Sequence, residues 1–229
     1  MRRAATTGAL AGALLASTAG IALAQEARFN RIASWPVAQN LPADMDPLTE
    51  TSAEIITATA DGEMLVYSDS PLGAIGMVDL TDPANPEPAG TVMLDGEPTS
   101  VAVVGGLAIV GINTSESFTD PSGRLDAVAL DTGAVVASCD LGGQPDAVAV
   151  APDGSFAAVA IENERDEDLN DGAIPQLPAG GLALVELTGT GAPDCGTLQL
   201  VDLTGLADVA PSDPEPEFVD VNAAGHVLV

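Results

Sequence analysis

Lysine is absent from this 229-residue chain, and its six basic residues, all arginine, face 34 aspartates and glutamates. Two of the arginines lie in the first three residues. Beyond residue 24 only four remain, a formal charge of about −30 for that part of the chain. A phosphate-backbone partner is excluded, because nothing would neutralise nucleic acid. Anionic membrane surfaces are disfavoured for the same reason. Divalent cations or cationic partners are favoured, and part of the charge also reads as a solubility adaptation to a salty habitat. Histidine is nearly absent too. His226 is alone, and the two cysteines, Cys139 and Cys195, stand far apart. Zinc sites of the usual kinds therefore have no support. No G-x-S-x-G elbow, P-loop or dinucleotide fingerprint occurs, and the Gly-rich stretch at Gly105-Gly106 is a hairpin turn.

The first 24 residues read as a secretory signal peptide rather than a membrane anchor. Arg2 and Arg3 form the positive start, residues 8–23 an Ala/Gly-rich apolar run, and Ala22-Leu23-Ala24 a small-x-small cleavage site. The arginine pair raises twin-arginine export, although the residues after it are not the usual ones. No later segment is long and apolar enough to span a bilayer. A secreted or periplasmic location follows. Export makes a disulfide between Cys139 and Cys195 chemically permitted, while pairing geometry cannot be read from spacing.

What is present is a repeat. EPTSVAVVGGLAIVGI from Glu97, QPDAVAVAPDGSFAAVAI from Gln144 and EPEFVDVNAAGHVLV from Glu215 share a proline, a short alternating strand, a glycine turn and a second alternating strand. AEIITATADGEMLVYSD from Ala53 is a copy without the proline. A unit recurring at roughly 40–50 residues predicts an all-β fold, a β-propeller of four-stranded blades. Strands are expected at 55–58, 64–67, 74–80 and 91–94, then 100–104, 107–112, 125–130 and 134–139. A third set is expected at 147–150, 157–161, 182–187 and 197–201, and a fourth begins at 218–221 and 227–229. Asp-Gly and Gly-Gly turns supply the hairpin chemistry. The blades span 53–95, 96–141 and 142–202, with the start of a fourth at 214–229. An N-terminal extension, 25–52, carries an expected edge strand at 29–37 with Trp35. Three and a half blades do not close a ring, so the chain is expected to be the N-terminal piece of a longer protein. A small sandwich of the same strands is the alternative.

Long insertions at 113–123, 163–181 and 204–217 all fall on one face, and function tends to sit on long loops of a rigid scaffold. Glu162, Glu164, Asp166, Asp168, Asn170 and Asp171 crowd one of them, with oxygen ligands of the kind calcium takes. Asp166, Asp168 and Asn170 have the one-three-five spacing of a calcium loop. The glycine comes one place late and the twelfth position is Leu177, so this is not an EF-hand. A solvated acidic loop is the alternative reading. Glu54, Thr99, Asp146 and Glu217 take equivalent places in the four copies. They would form a polar arc at the channel mouth that holds a cation or a substrate's polar groups, or they merely cap strand ends.

The P-x-x-V-x-V motif and D-G turn resemble secreted bacterial propellers of the YVTN/lactonase-like type. The segment IENERDEDLNDGAIPQLPAGGLALVEL resembles the N-terminal propeller region of the "esterase-like activity of phytase" group, whose relatives are choice-of-anchor or alkaline-phosphatase-like proteins. The resemblance covers roughly 54–229. It implies a periplasmic or extracellular propeller, calcium-loaded and acting on phosphate esters, with the phytase-like portion beyond residue 229. It carries no catalytic residue onto this chain. Three functions are therefore expected: a scaffold or binding module with calcium at 162–171, part of a calcium-dependent phosphoesterase (phytase-like or alkaline-phosphatase-like), or a lactonase-like hydrolase.

Overall fold

A computed structural model describes residues 30–229. The signal peptide expected at 1–24 lies outside them. Among the described residues, alternating apolar residues broken by glycine turns give fourteen strands, which gather in chain order into antiparallel sheets. The first sheet is β1 (Ile56–Ala58), β2 (Met64–Asp69), β3 (Ala74–Asp79) and β4 (Glu87–Met93). The second is β5 (Glu97–Val104), β6 (Leu107–Asn113), β7 (Gly123–Ala129) and β8 (Val135–Asp140). The third is β9 (Pro145–Val150), β10 (Phe156–Ile161), β11 (Gly181–Glu186) and β12 (Gln199–Asp202). A two-stranded hairpin, β13 (Asp220–Val221) and β14 (Val227–Leu228), follows. The hairpin between the first two strands of every set turns on a left-handed glycine: Gly62, Gly105, Gly154 and Gly225. A side chain is strained there, which is why the same residue recurs.

The second and third strands of each sheet are buried on both faces, and β10 consists of Phe, Ala, Val and Ile alone. That pattern needs a sheet covered on both sides. The covering is sequential. One core joins the first and second sheets through Val66, Ile75, Val110 and Val128. Another joins the second and third through Ile109, Leu125, Val159 and Val185. A third joins the third sheet to the hairpin through Ala158, Leu182, Val219 and Val221. A two-layer sandwich has a single core between its sheets. Three cores in chain order are the packing of propeller blades, with β5, β9 and β13 as successive innermost strands.

The expected edge strand at 29–37 is corrected. Residues 30–36 are irregular, and Val37–Asn40 form a 3-10 turn. Pro36 lacks the N–H that an edge ladder would use. The segment is held instead by buried Asn40, whose Nδ2 donates to the Tyr67 hydroxyl (3.0 Å) and the Met77 carbonyl (2.8 Å). Thr91 Oγ1 donates back to the Asn40 carbonyl at 2.8 Å. At the opposite edge, Cys139 of β8 and Cys195, in the turn before β12, are joined by a disulfide between the outer strands of neighbouring sheets. Among the described residues no helix is long and apolar enough to cross a membrane.

Candidate functional site

The innermost strands touch where the repeat prolines stand. Ser70 Oγ donates to the Pro98 carbonyl at 2.9 Å, Thr99 Oγ1 donates to the Pro145 carbonyl at 2.9 Å, and the Val148 amide donates to Ser100 Oγ at 3.0 Å. Thr99 is thus spent on joining β5 to β9. Glu54 accepts a hydrogen bond from Ser70 Oγ and belongs to the first sheet. Of these two residues of the expected arc, Thr99 joins two strands and Glu54 ties the segment before β1 to the turn after β2.

The other two enter a different company. Asp146 lies on β9, and Glu162 follows β10 directly; both are half-buried. Glu164 stands two residues on, while Glu215 and Glu217 come from the loop before β13. Burial and the charges of Glu217 and Glu164 raise the Asp146 carboxyl above its ordinary value. Burial, then Asp146, Glu164, Glu215 and Glu217, pushes Glu162 up to about 7. Desolvation and like charge both disfavour the carboxylate, so the two causes reinforce each other. The structure therefore brings Glu162 and Glu164 of the acidic insertion together with Asp146 and Glu217 of the expected arc.

Asp166, Asp168, Asn170 and Asp171 stay apart in a local turn. Asp166 Oδ1 accepts from the Asp168 amide at 2.9 Å, and the Asp166 backbone is gripped by the Gln176 side chain at both its N–H and its carbonyl (each 2.9 Å). Asp168, Asn170 and Asp171 are exposed, the last two in left-handed backbone at φ 52° and 57°.

The residues that fix the rim were missed by sequence reasoning. Arg165 places Nη2 2.6 Å from Glu215 Oε2 and Nε 3.2 Å from Asp213 Oδ2. Its backbone N–H also donates to Glu215 Oε1 at 2.8 Å. Asp213 is buried and accepts from the Gln176 amide at 2.8 Å. Arg165 and Gln176 thereby bolt the 163–180 insertion to the loop before β13. Asn163, also left-handed, holds the base of the insertion. Its Oδ1 accepts from the Gln144 amide at 2.9 Å, and its Nδ2 donates to the carbonyls of Pro178 and Ala179. Gly180 closes the approach: a Cβ there would lie 2.5 to 2.6 Å from the carbonyl oxygens of Glu162, Ile161 and Pro214. Backbone on three sides cannot yield, so only glycine fits. One signal was available in advance, a lone arginine inside a run of carboxylates.

Between these loops lies a cavity of about 440 Å³ lined by Glu162, Glu164, Arg165, Glu167, Gln176 and Glu215. Its donors are hard oxygens, the ligand type of calcium and magnesium. Among the described residues no three His, Cys, Asp or Glu side chains converge as a metal-ligand set. The lining is strongly acidic, with Arg165 as its one basic side chain. His226 is exposed in the β13–β14 hairpin, away from this set.

A sequence model of the choice-of-anchor I domain matches residues 54–224. The chain belongs to the choice-of-anchor I family. The matched span contains every residue of the acidic rim. No curated protein matches the chain. Among solved structures, hydrazine synthase of Kuenenia stuttgartiensis is 16% identical with a TM-score of 0.52, over 74% of this chain and 47% of that one. A proposed 6-phosphogluconolactonase of Bacteroides uniformis is 15% identical with a TM-score of 0.51, over 80% of this chain and 48% of that one. These likenesses show the fold alone, a β-propeller, and the choice-of-anchor chain spans about half the length of the structures it matches. Family membership points to a cell-surface or secreted module.

Proposed function

We propose that this choice-of-anchor propeller is an exported binding module whose acidic rim takes a divalent cation, calcium by its donor set. One observation carries the reading: half-burial of Glu162, and then the charges of Asp146, Glu164, Glu215 and Glu217 beside it, push its carboxyl up to about 7. A cation would relieve the same repulsion that a proton now relieves.

The pH dependence has a definite sign. Glu162 keeps its proton up to about 7 when folded and loses it near the ordinary value of 4.5 when unfolded. The folded chain therefore binds more protons between those values, and stability falls as pH rises through that window. After discounting for solvent, the loss is about 1 kcal/mol. At pH 8 the Glu162→Gln variant should melt ~2–4 °C higher than the parent, and at pH 4.5 the two should coincide. In the parent at pH 8, saturating calcium should raise the melting temperature by ~5 °C or more. Glu162→Gln and Glu217→Gln should remove most of that response, and Asp168→Ala should keep it. Absence of any calcium response at pH 8 would overturn the reading. Loss of the response in Asp168→Ala alone would return the site to 166–171.

A second reading is part of a calcium-dependent phosphoesterase. A carboxyl titrating near neutrality is suited to moving a proton at working pH, which favours it. A bound cation would neutralise phosphate and activate water. Chelator-sensitive hydrolysis of p-nitrophenyl phosphate by the full-length protein, lost in Glu162→Gln, would support it; no turnover would leave the binding module.

A further inference from the structure

The face away from the acidic rim carries a second concavity. Strand direction alternates within each sheet, so the β1–β2, β3–β4, β5–β6 and β7–β8 turns share that face. They enclose an open groove of about 750 Å³ between the first and second sheets. Half-buried Met64, Leu107 and Leu130 form its apolar floor, and Asp61, Glu63, Asp79 and Asp131 stand around it with no basic residue among the lining.

Two of the rim carboxylates are fixed by their own turns. Asp61 Oδ1 accepts from Thr59 Oγ1 at 2.6 Å and from the Glu63 amide at 3.1 Å, and Asp79 Oδ1 accepts from the Thr81 amide at 2.8 Å. Those hydrogen bonds lower both carboxyls below their ordinary values and keep them ionised. The anionic positions are thus set before anything binds, which limits the entropy lost on docking.

An apolar trough with fixed negative charges fits a strip of apolar side chains flanked by cations. Among the described residues a second copy offers only Arg31 as an exposed arginine, a single cation where an alternating strip needs several. Arg124 is paired with Asp126 at 3.0 Å, and Arg165 is committed to Asp213 and Glu215. We propose that this groove docks an extended segment of a partner protein in which arginine or lysine alternates with leucine-like side chains. The partner is a different protein, one rich in the basic residues this chain lacks.

The test uses the full chain and a fluorescent hexapeptide alternating leucine and arginine. Saturable binding is expected, with affinity falling at least tenfold in the Asp61→Asn, Asp131→Asn double variant. Asparagine retains an Oδ1 acceptor, so the Thr59 turn is preserved. A Glu164→Gln, Glu217→Gln variant on the opposite face should bind within twofold of the parent. Hexa-arginine should bind at least tenfold more weakly than the alternating peptide. Equal binding by hexa-arginine, an equal loss in the opposite-face variant, or no saturable binding would overturn the proposal. The first two would show only a diffuse acidic surface.

Discussion

Replacing both Cys139 and Cys195 by alanine is expected to cost about 4 kcal/mol and to lower the melting temperature by roughly 8–16 °C. The two residues are 56 positions apart in sequence, and their bond spans two sheets that otherwise meet through side-chain packing and two hydrogen bonds between their innermost strands. Freeing a loop of that length returns a large conformational entropy to the unfolded chain. The outer strands are also the least buried of these two sheets: β12 is exposed along its whole length. Without the bond, the edge of the third sheet should fray first, so amides of β12 should lose hydrogen-exchange protection before those of β10. Reversible urea unfolding of the parent, the double alanine variant and the thiol-reduced parent measures this. A loss below 1 kcal/mol would show that the packed core alone fixes the two blades.

Arg165→Ala should be the most damaging substitution at the rim, at about 3 kcal/mol. Asp213 is 2% exposed and would lose the cation beside it, while Glu215 would lose the tie to the insertion. Breaking one side of a buried pair costs more than removing both sides, because the remaining charge is stranded. Adding Asp213→Asn should therefore recover part of the loss, since the asparagine oxygen still accepts from the Gln176 amide. Urea unfolding of the two single variants and the double variant reads out the coupling. A single-variant loss under 1 kcal/mol, or a double variant worse than the sum of its parts, would contradict the clamp.

The blades were legible because their signals are local. Alternation over five or six residues and a glycine at each hairpin fix strand and turn together, so β2, β6 and β10 fall almost where the pattern puts them. The segment before them was not legible. It docks through Asn40 onto Tyr67 and Met77, 27 and 37 residues away, and no short window contains that contact. The rim was half legible. Carboxylates visible as two separate sets, Glu162 with Glu164 and Asp146 with Glu217, become one set only when β9 and β13 are neighbours. Arg165, Asp213 and Glu215 escaped because their pairing spans 48 to 50 residues between two loops without periodicity.

Carbon-13 NMR titration of the Glu162 carboxyl, assigned by comparison with Glu162→Gln and recorded without divalent cations, tests the convergence of the rim most directly. Half-burial of Glu162 together with carboxylates gathered from β9 and the loop before β13 gives a midpoint near 7, moving downward in Asp146→Asn. A midpoint at the ordinary 4.5, unmoved by Asp146→Asn, would mean that the third sheet and the last hairpin do not share a rim.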